Sequence, residues 1–338
     1  MKLDAKSIKN FLSNNAITVM LVVLVMYVGL TKPGFFGGPN ISNILSNVTP
    51  RLIIALGISG CLIIKGTDLS AGRAVGLGGV IACTLLQRPD YSNKFFENLP
   101  QMPLFGVLLL VVVITALFGM MNGLVISYFK VPAFLTTLGT QTIIYGINLV
   151  YSGADPIGGL RTDYTGLATN AIFKFDLFGT GQFTFKWLFV FGIVMFAFFW
   201  FLYNKTRYGK YMYAIGGNEN AAEVSGVNVT KSRILIHTLA GAMYGLAGFL
   251  LAAKSGGASV NLGLSYELEA IASCTIGGVS TNGGIGKVSG ILLGVLVYEL
   301  LKTSMQFLQI DTSFQYIVQG LVIVVAVALD IRKYIAKK

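Results

Sequence analysis

Asn204–Arg233, NKTRYGKYMYAIGGNENAAEVSGVNVTKSR, is one of the two longest polar intervals inside an otherwise apolar chain. It carries Lys205, Arg207, Lys210, Lys231 and Arg233 against only Glu219 and Glu223. Short basic segments beside membrane spans stay in the cytoplasm, so this stretch orients everything that flanks it. Within it, Asn218–Ser225 reads as a short helix. Asn218 caps the first free amides, Glu219 and Glu223 lie one turn apart, and Gly226 ends the helix. On a cytoplasmic face such a helix is either a docking knob or a plain loop joining two spans.

The rest of the composition agrees with a membrane setting. Of 338 residues, 54% are hydrophobic and 12% charged, whereas soluble domains carry about 25% charged residues. The 41 glycines suit helices whose backbones approach closely in lipid. The class is an all-α polytopic membrane protein, a single transmembrane domain over 1–338 with no second, soluble domain. A net charge of +11 invites a nucleic-acid reading, which the distribution rejects. The basic residues gather at the N-terminus, in 204–233 and in the C-terminal IRKYIAKK, with no basic stripe interleaved with aromatics. Cys61, Cys83 and Cys274 stand singly in apolar segments, so neither a disulfide framework nor a metal site is expected. The basic MKLDAKSIKN precedes an apolar run without a small-residue cleavage site, which favours an uncleaved first span.

At about 20 apolar residues per crossing, ten spans are expected, some short or broken: 16–30, 44–64, 69–87, 104–129, 131–151, 187–203, 234–253, 268–279, 288–308 and 314–330. The third and eighth are the ones that could be broken or re-entrant. Basic residues at both ends require an even count, with both termini in the cytoplasm and the polar intervals 88–102 and 152–186 outside. Gly-rich segments around a polar break recur weakly in 54–79 and 271–294, and paired breaks can mark a transporter pathway.

Lys65–Arg73, KGTDLSAGR, is a polar run with no long loop, so its backbone must lie in protein or against water. Asp68 is placed to cap the third helix, and charged groups at membrane depth are functional candidates; a tight cytoplasmic turn is the alternative. Asn122-Gly123-Leu124 and Val131–Thr140, VPAFLTTLGT, bring Thr136, Thr137 and Thr140 within about a turn, with Asn148 two turns on. That face either lines a pathway for a hydroxylated solute or makes interhelical hydrogen bonds. Together with Ser70 these residues are the pathway candidates. Glu267 and Glu269 face different sides of a helix, so a catalytic pair is not expected, and helix N-terminal anions account for them. Gly119/Gly123, Gly241/Gly245 and Gly286/Gly290/Gly294 have the spacing of close helix crossings, within the subunit or in a dimer. His237 has no acidic neighbour within a turn and reads as a packed polar residue or a proton relay. No nucleophile–base or metal-ligand set appears. Leu69–Arg73 echoes the signature loop of ABC ATPases, but GxxxxGK[ST] is missing: Gly286-Lys287 is followed by Val288 and preceded by Thr281 at the first glycine's place.

Four stretches together resemble sugar ABC-transporter permeases of the ribose/galactose type: Ile215–Val229 (IGGNENAAEVSGVNV), Gly66–Arg73, the Asn122 and Val131–Thr140 block, and Tyr266–Gly278. The resemblance spans Asn40–Asp330. Arg73 departs from the family's usual small residue. The resemblance implies a non-enzymatic subunit of an importer in a bacterial cell membrane, working as two copies. It also implies an ATPase subunit inside that binds the ATP, a sugar-binding protein outside, and galactose or methyl galactoside as solute, with ribose or xylose as alternatives. The coupling residues would be Asn218, Glu219, Ala221, Ala222, Glu223, Ser225 and Gly226. An ion-coupled secondary transporter is the alternative of another class, with Asp68 as its coupling site.

Overall fold

The computed structural model describes residues 16–177 and 179–335. The basic N-terminal segment and its signal-peptide question lie outside them, as do the last three residues. Seven helices are long and apolar enough to cross a membrane. They are α2 (Gly38–Ile63), α4 (Leu104–Tyr128), α5 (Ala133–Ser152), α7 (Trp187–Lys205), α10 (Val229–Ser255), α12 (Val288–Phe307) and α13 (Thr312–Ile335). Three shorter helices among the described residues, α1 (Ala16–Thr31), α3 (Ala71–Leu85) and α11 (Tyr266–Ile276), pack with them in the bundle.

Irregular chain extends the two short interior helices toward both ends of the bundle. Before α3, residues 64–70 run from the end of α2, beside Gly283, into the bundle. Beyond α3, Gln87 pairs with Leu160 at the opposite end. Helix α11 is followed by 277–287, which returns to that first end, where the Gly284 amide donates to the Ile63 carbonyl at 2.8 Å. Gly283 and Gly284 hold φ of 84° and 74°, and a Cβ on Gly283 would lie 2.8 Å from the Gly216 carbonyl oxygen. Only glycine fits a left-handed backbone pressed between two others. The two breaks of the internal echo therefore touch one another. They do so at the end of the bundle that bears the 204–233 segment. The end of α13 lies there too: the Asp330 carboxylate accepts from the Thr281 amide and hydroxyl at 2.9 Å each.

Helix α10 is the axis of the fold, packed on α4, α3 and α2. Its glycines explain how it approaches α4. A Cβ on Gly119 would strike the His237 carbonyl, one on Gly241 the Thr115 carbonyl and one on Gly245 the Thr115 hydroxyl, and one on Gly123 would lie 2.7 Å from the Ile234 Cα. The two GxxxG spacings thus face each other inside the subunit. Gly290 and Gly294 of α12 do the same against the Gly277 and Ser273 carbonyls beside α11. Close backbone approach of this kind takes the place of a hydrophobic driving force between helices in lipid.

The interval 152–186, expected as a polar connection, is structured. Helix α6 (Thr162–Thr169) is held to α10 by the Tyr164 hydroxyl, which donates to the Phe249 carbonyl at 2.7 Å. A hairpin follows, β1 (Ala171–Asp176) antiparallel to β2 (Gln182–Lys186). Alternating aromatics build it: the Phe173 and Phe185 rings stack at 4.8 Å and 5°. Asp176 closes the turn by accepting from the amides of Gly179 and Gly181 at 2.8 and 3.1 Å. The hairpin is moored on α2, where Ser42 Oγ accepts from the Thr184 amide at 2.7 Å and Ser46 Oγ from Lys186 Nζ at 3.1 Å.

Candidate functional site

The irregular approach to α3 places Asp68 in the middle of the bundle, wholly buried. Its Oδ1 accepts from the Ser70 amide at 2.9 Å and the Ser70 hydroxyl at 2.6 Å. The helix begins one residue later, at Ala71, so Asp68 folds the two residues before α3 rather than capping it. Its Oδ2 accepts from the Tyr244 hydroxyl at 3.1 Å and lies 3.9 Å from His237 Nδ1. His237 Nδ1 is also 3.5 Å from Cys61 Sγ. The acidic neighbour missing from His237's own helix thus arrives from the polar run before α3. A buried cysteine, aspartate and histidine also meet here, a grouping that spacing alone did not suggest.

The network continues outward. Asn122 Nδ2 donates to Ser70 Oγ at 3.1 Å, and Thr140 Oγ1 donates to Asn122 Oδ1 at 2.6 Å. Thr137 Oγ1 accepts from the Leu69 amide at 3.0 Å. Asp68, Ser70, Asn122 and Thr140 therefore form one chain of contacts linking the approach to α3 with α4 and α5, joined to α10 through Tyr244, and Thr137 braces the same approach through the Leu69 amide; all of these side chains are buried. Two candidates stand apart. Thr136 points off this face and returns its hydroxyl to the Pro132 carbonyl at 3.3 Å. Asn148 lies buried on the same face of α5 as Thr137 and Thr140, but its amide has no hydrogen-bond partner among the described residues. Arg73 leaves the cluster, donating to the Val260 carbonyl at 3.0 Å with its guanidinium 4.1 Å from the centre of the Tyr145 ring. It thereby ties α3 and α5 to the segment entering α11.

The two glutamates of α11 part as expected, but the macrodipole is a minor part of their surroundings. Glu267 lies against Gly72. Glu269 is held by Arg51 Nε at 2.9 Å and Lys302 Nζ at 2.6 Å, and Arg51 Nη1 is 3.4 Å from Glu299. These partners sit 218 and 33 residues from Glu269, so only the charges in spans two and nine signalled them.

At the loop end, 204–233 holds two helices where one was expected, α8 (Arg207–Gly217) and α9 (Glu219–Val224). Asn218 caps α9 through its Oδ1, which accepts from the Ala221 amide at 3.1 Å. Gly226 takes φ of 85° just past it. Glu219 is tied to Arg233 of α10 at 2.7 Å. Ala222 is buried, whereas Val224 is 90% exposed. The candidate residues thus divide into anchors, Asn218, Glu219 and Ala222, and a free face carrying Ala221, Glu223 and Ser225. Val224 belongs on that face and was missed in sequence because an apolar residue inside a basic loop resembles core.

Residues 40–327 match the family described as branched-chain amino acid transport system / permease component. The chain belongs to this family. It is a multi-pass bacterial inner-membrane protein and the permease subunit of an ABC importer. Among curated relatives, it is 43% identical to the galactose/methyl galactoside import permease protein MglC of Escherichia coli (strain K12), over 99% of both chains. It is 35% identical to the ribose import permease protein RbsC of Haemophilus influenzae, over 96% of this chain and 94% of that one. It is 36% identical to the ribose import permease protein RbsC of Bacillus subtilis (strain 168), over 93% and 91%. No solved structure matches.

Proposed function

We propose that this permease carries galactose and methyl galactosides inward, as one of two copies that together form the membrane pathway. A sugar-binding protein delivers the solute at the hairpin end, and an ATPase subunit docks on α9 at the other. This chain binds no ATP itself. The observation that carries the choice of solute is the 43% identity over 99% of both chains to a galactose/methyl galactoside permease, against 35% and 36% to ribose permeases.

Mechanically, ATP-driven closure of the partner pushes on Asn218–Gly226. The Glu219–Arg233 pair hands that displacement to α10, whose Tyr244 and His237 touch Asp68. The buried chain from Thr140 to Asp68 is then the interior element that changes partners as access alternates. An ion-coupled mechanism is less well supported. Asp68 is already engaged by Ser70 and Tyr244, and the capped helix α9 would have no purpose in it.

The test is uptake of labelled galactose in cells lacking other galactose importers, with this chain alone and then with its ATPase and binding protein. Uptake that needs all parts supports the proposal. Uptake by the chain alone along an ion gradient overturns it. Uptake of ribose but not galactose corrects the solute.

A further inference from the structure

A second polar feature of the bundle is separate from the Asp68 network. Helices α11, α12 and α13 enclose a cleft of about 470 Å³. It reaches Arg51, which lies about 20 Å along α2 from that helix's hairpin-end start at 1.5 Å per residue. Small-ligand sites run from about 300 to 1,000 Å³, so the cleft has the size of such a site. Its lining is unusual for a face between membrane helices. Thr312, Gln315 and Gln319 form one stripe of α13 turned into it, while the exposed Phe314, Ile317 and Leu321 occupy the opposite face. Tyr298 and Gln306 come from α12 and Tyr266 from α11.

The charges at its base are paired with one another. Arg51 and Lys302 both bond to Glu269, and Arg51 also faces Glu299, outside the lining, so each charged group on the cleft wall already has an opposite partner. What the cleft presents is a dense set of fixed hydrogen-bonding groups of both kinds. The Lys302 ammonium donates, the Glu269 carboxylate accepts, and the carboxamides and tyrosine hydroxyls do both. Aromatic rings flank them, and the Arg51 guanidinium lies 5.0 Å from the centre of the Tyr266 ring. Vicinal hydroxyls on a small apolar ring match that pattern, each hydroxyl being donor and acceptor at once.

We infer that the cleft between α11, α12 and α13 is a binding station for a neutral monosaccharide on its way through the permease. The inference rests on the sugar-import reading above. In this station Gln319 and Lys302 bind sugar hydroxyls, and Tyr266 and the α13 residue Tyr316, both lining the cleft, contact the apolar ring face.

The experiment uses the complete importer with its ATPase and binding protein. Gln306→Cys places a thiol at the exposed rim of the cleft, while native Cys61, Cys83 and Cys274 are buried and stay silent. A small polar thiol reagent is applied from the outer side with and without galactose, and uptake is measured on the same preparation. The expected result is modification of the Gln306→Cys variant slowed several-fold by galactose, and a several-fold higher KM for uptake in Gln319→Ala at unchanged membrane level. Three results overturn the station while leaving the import reading intact, provided the importer still carries galactose. These are equal labelling with and without galactose, no labelling at all, and an unchanged KM in Gln319→Ala. If the importer carries another monosaccharide, protection by that sugar decides in the same way. If the assembled set carries no sugar, the import reading itself has failed and the station with it.

Discussion

Tyr244 donates its hydroxyl hydrogen to Asp68 Oδ2 across 3.1 Å, joining helix α10 to the irregular approach to α3 through two wholly buried side chains. Tyr244→Phe keeps the ring and removes the donor. Leaving a buried acceptor short of a partner costs about 1–3 kcal/mol. The variant should melt several degrees below the parent protein in detergent while inserting normally. An unchanged melting temperature would show that the bond contributes nothing.

The α4–α10 crossing depends on absent side chains. A Cβ on Gly119 meets the His237 carbonyl, so Gly119→Val should cost at least the roughly 1–3 kcal/mol of an overpacked core. Gly139 sits in α5 with open space around its Cα. Gly139→Ala should be neutral or stabilising, by up to about 1 kcal/mol from helix propensity. Thermal melting of the two variants side by side checks the contrast, and equal losses would refute the crossing.

Glu269 is the hub of an ion cluster set largely away from water, with Arg51 and Lys302 on either side. Removing one partner of such a pair leaves an uncompensated buried charge and costs about 3–5 kcal/mol. Glu269→Gln should therefore lower the yield of folded protein sharply. Adding Lys302→Met should recover much of the loss, because the cation left without a partner goes with it, while Arg51 keeps Glu299. A double variant no better than the single one would argue against direct coupling.

The seven long spans were legible because apolar length sets a crossing regardless of what the helix later touches. Asn218 was legible as a cap because its bond, to the Ala221 amide, is local. Asp68 and His237 were each visible as polar residues at membrane depth, but their meeting was not, since 176 residues separate Tyr244 from Asp68 and Cys61 from His237 alike. Arg51 and Glu299 were hidden for the same reason. The hairpin was missed on different grounds: Phe173, Phe175, Phe183 and Phe185 alternate as strands do, but they lie within an interval whose aspartates and glycines mark it as loop.

On α9 the anchors and the free face should respond differently. Asn218→Ala removes a cap worth about 1 kcal/mol and should loosen the helix without abolishing ATPase binding. Val224→Asp puts a charge on its most exposed apolar side chain, and a lost contact of about 1–2 kcal/mol would weaken docking roughly tenfold. Glu223→Lys should leave membrane insertion intact and uncouple uptake from ATP hydrolysis. Copurification of the ATPase, read beside uptake, separates these outcomes. Parent-level uptake in Glu223→Lys would remove α9 from the coupling path.

The Leu69 amide finds its partner in Thr137 Oγ1, 68 residues further along the chain. An unpaired amide in hydrocarbon costs several kcal/mol, so the third span has no comfortable resting state in lipid while the fifth is still on the ribosome. The approach to α3 is therefore completed only by a hydroxyl from α5, so the polar run before the third span is fully satisfied only once the fifth is packed beside it.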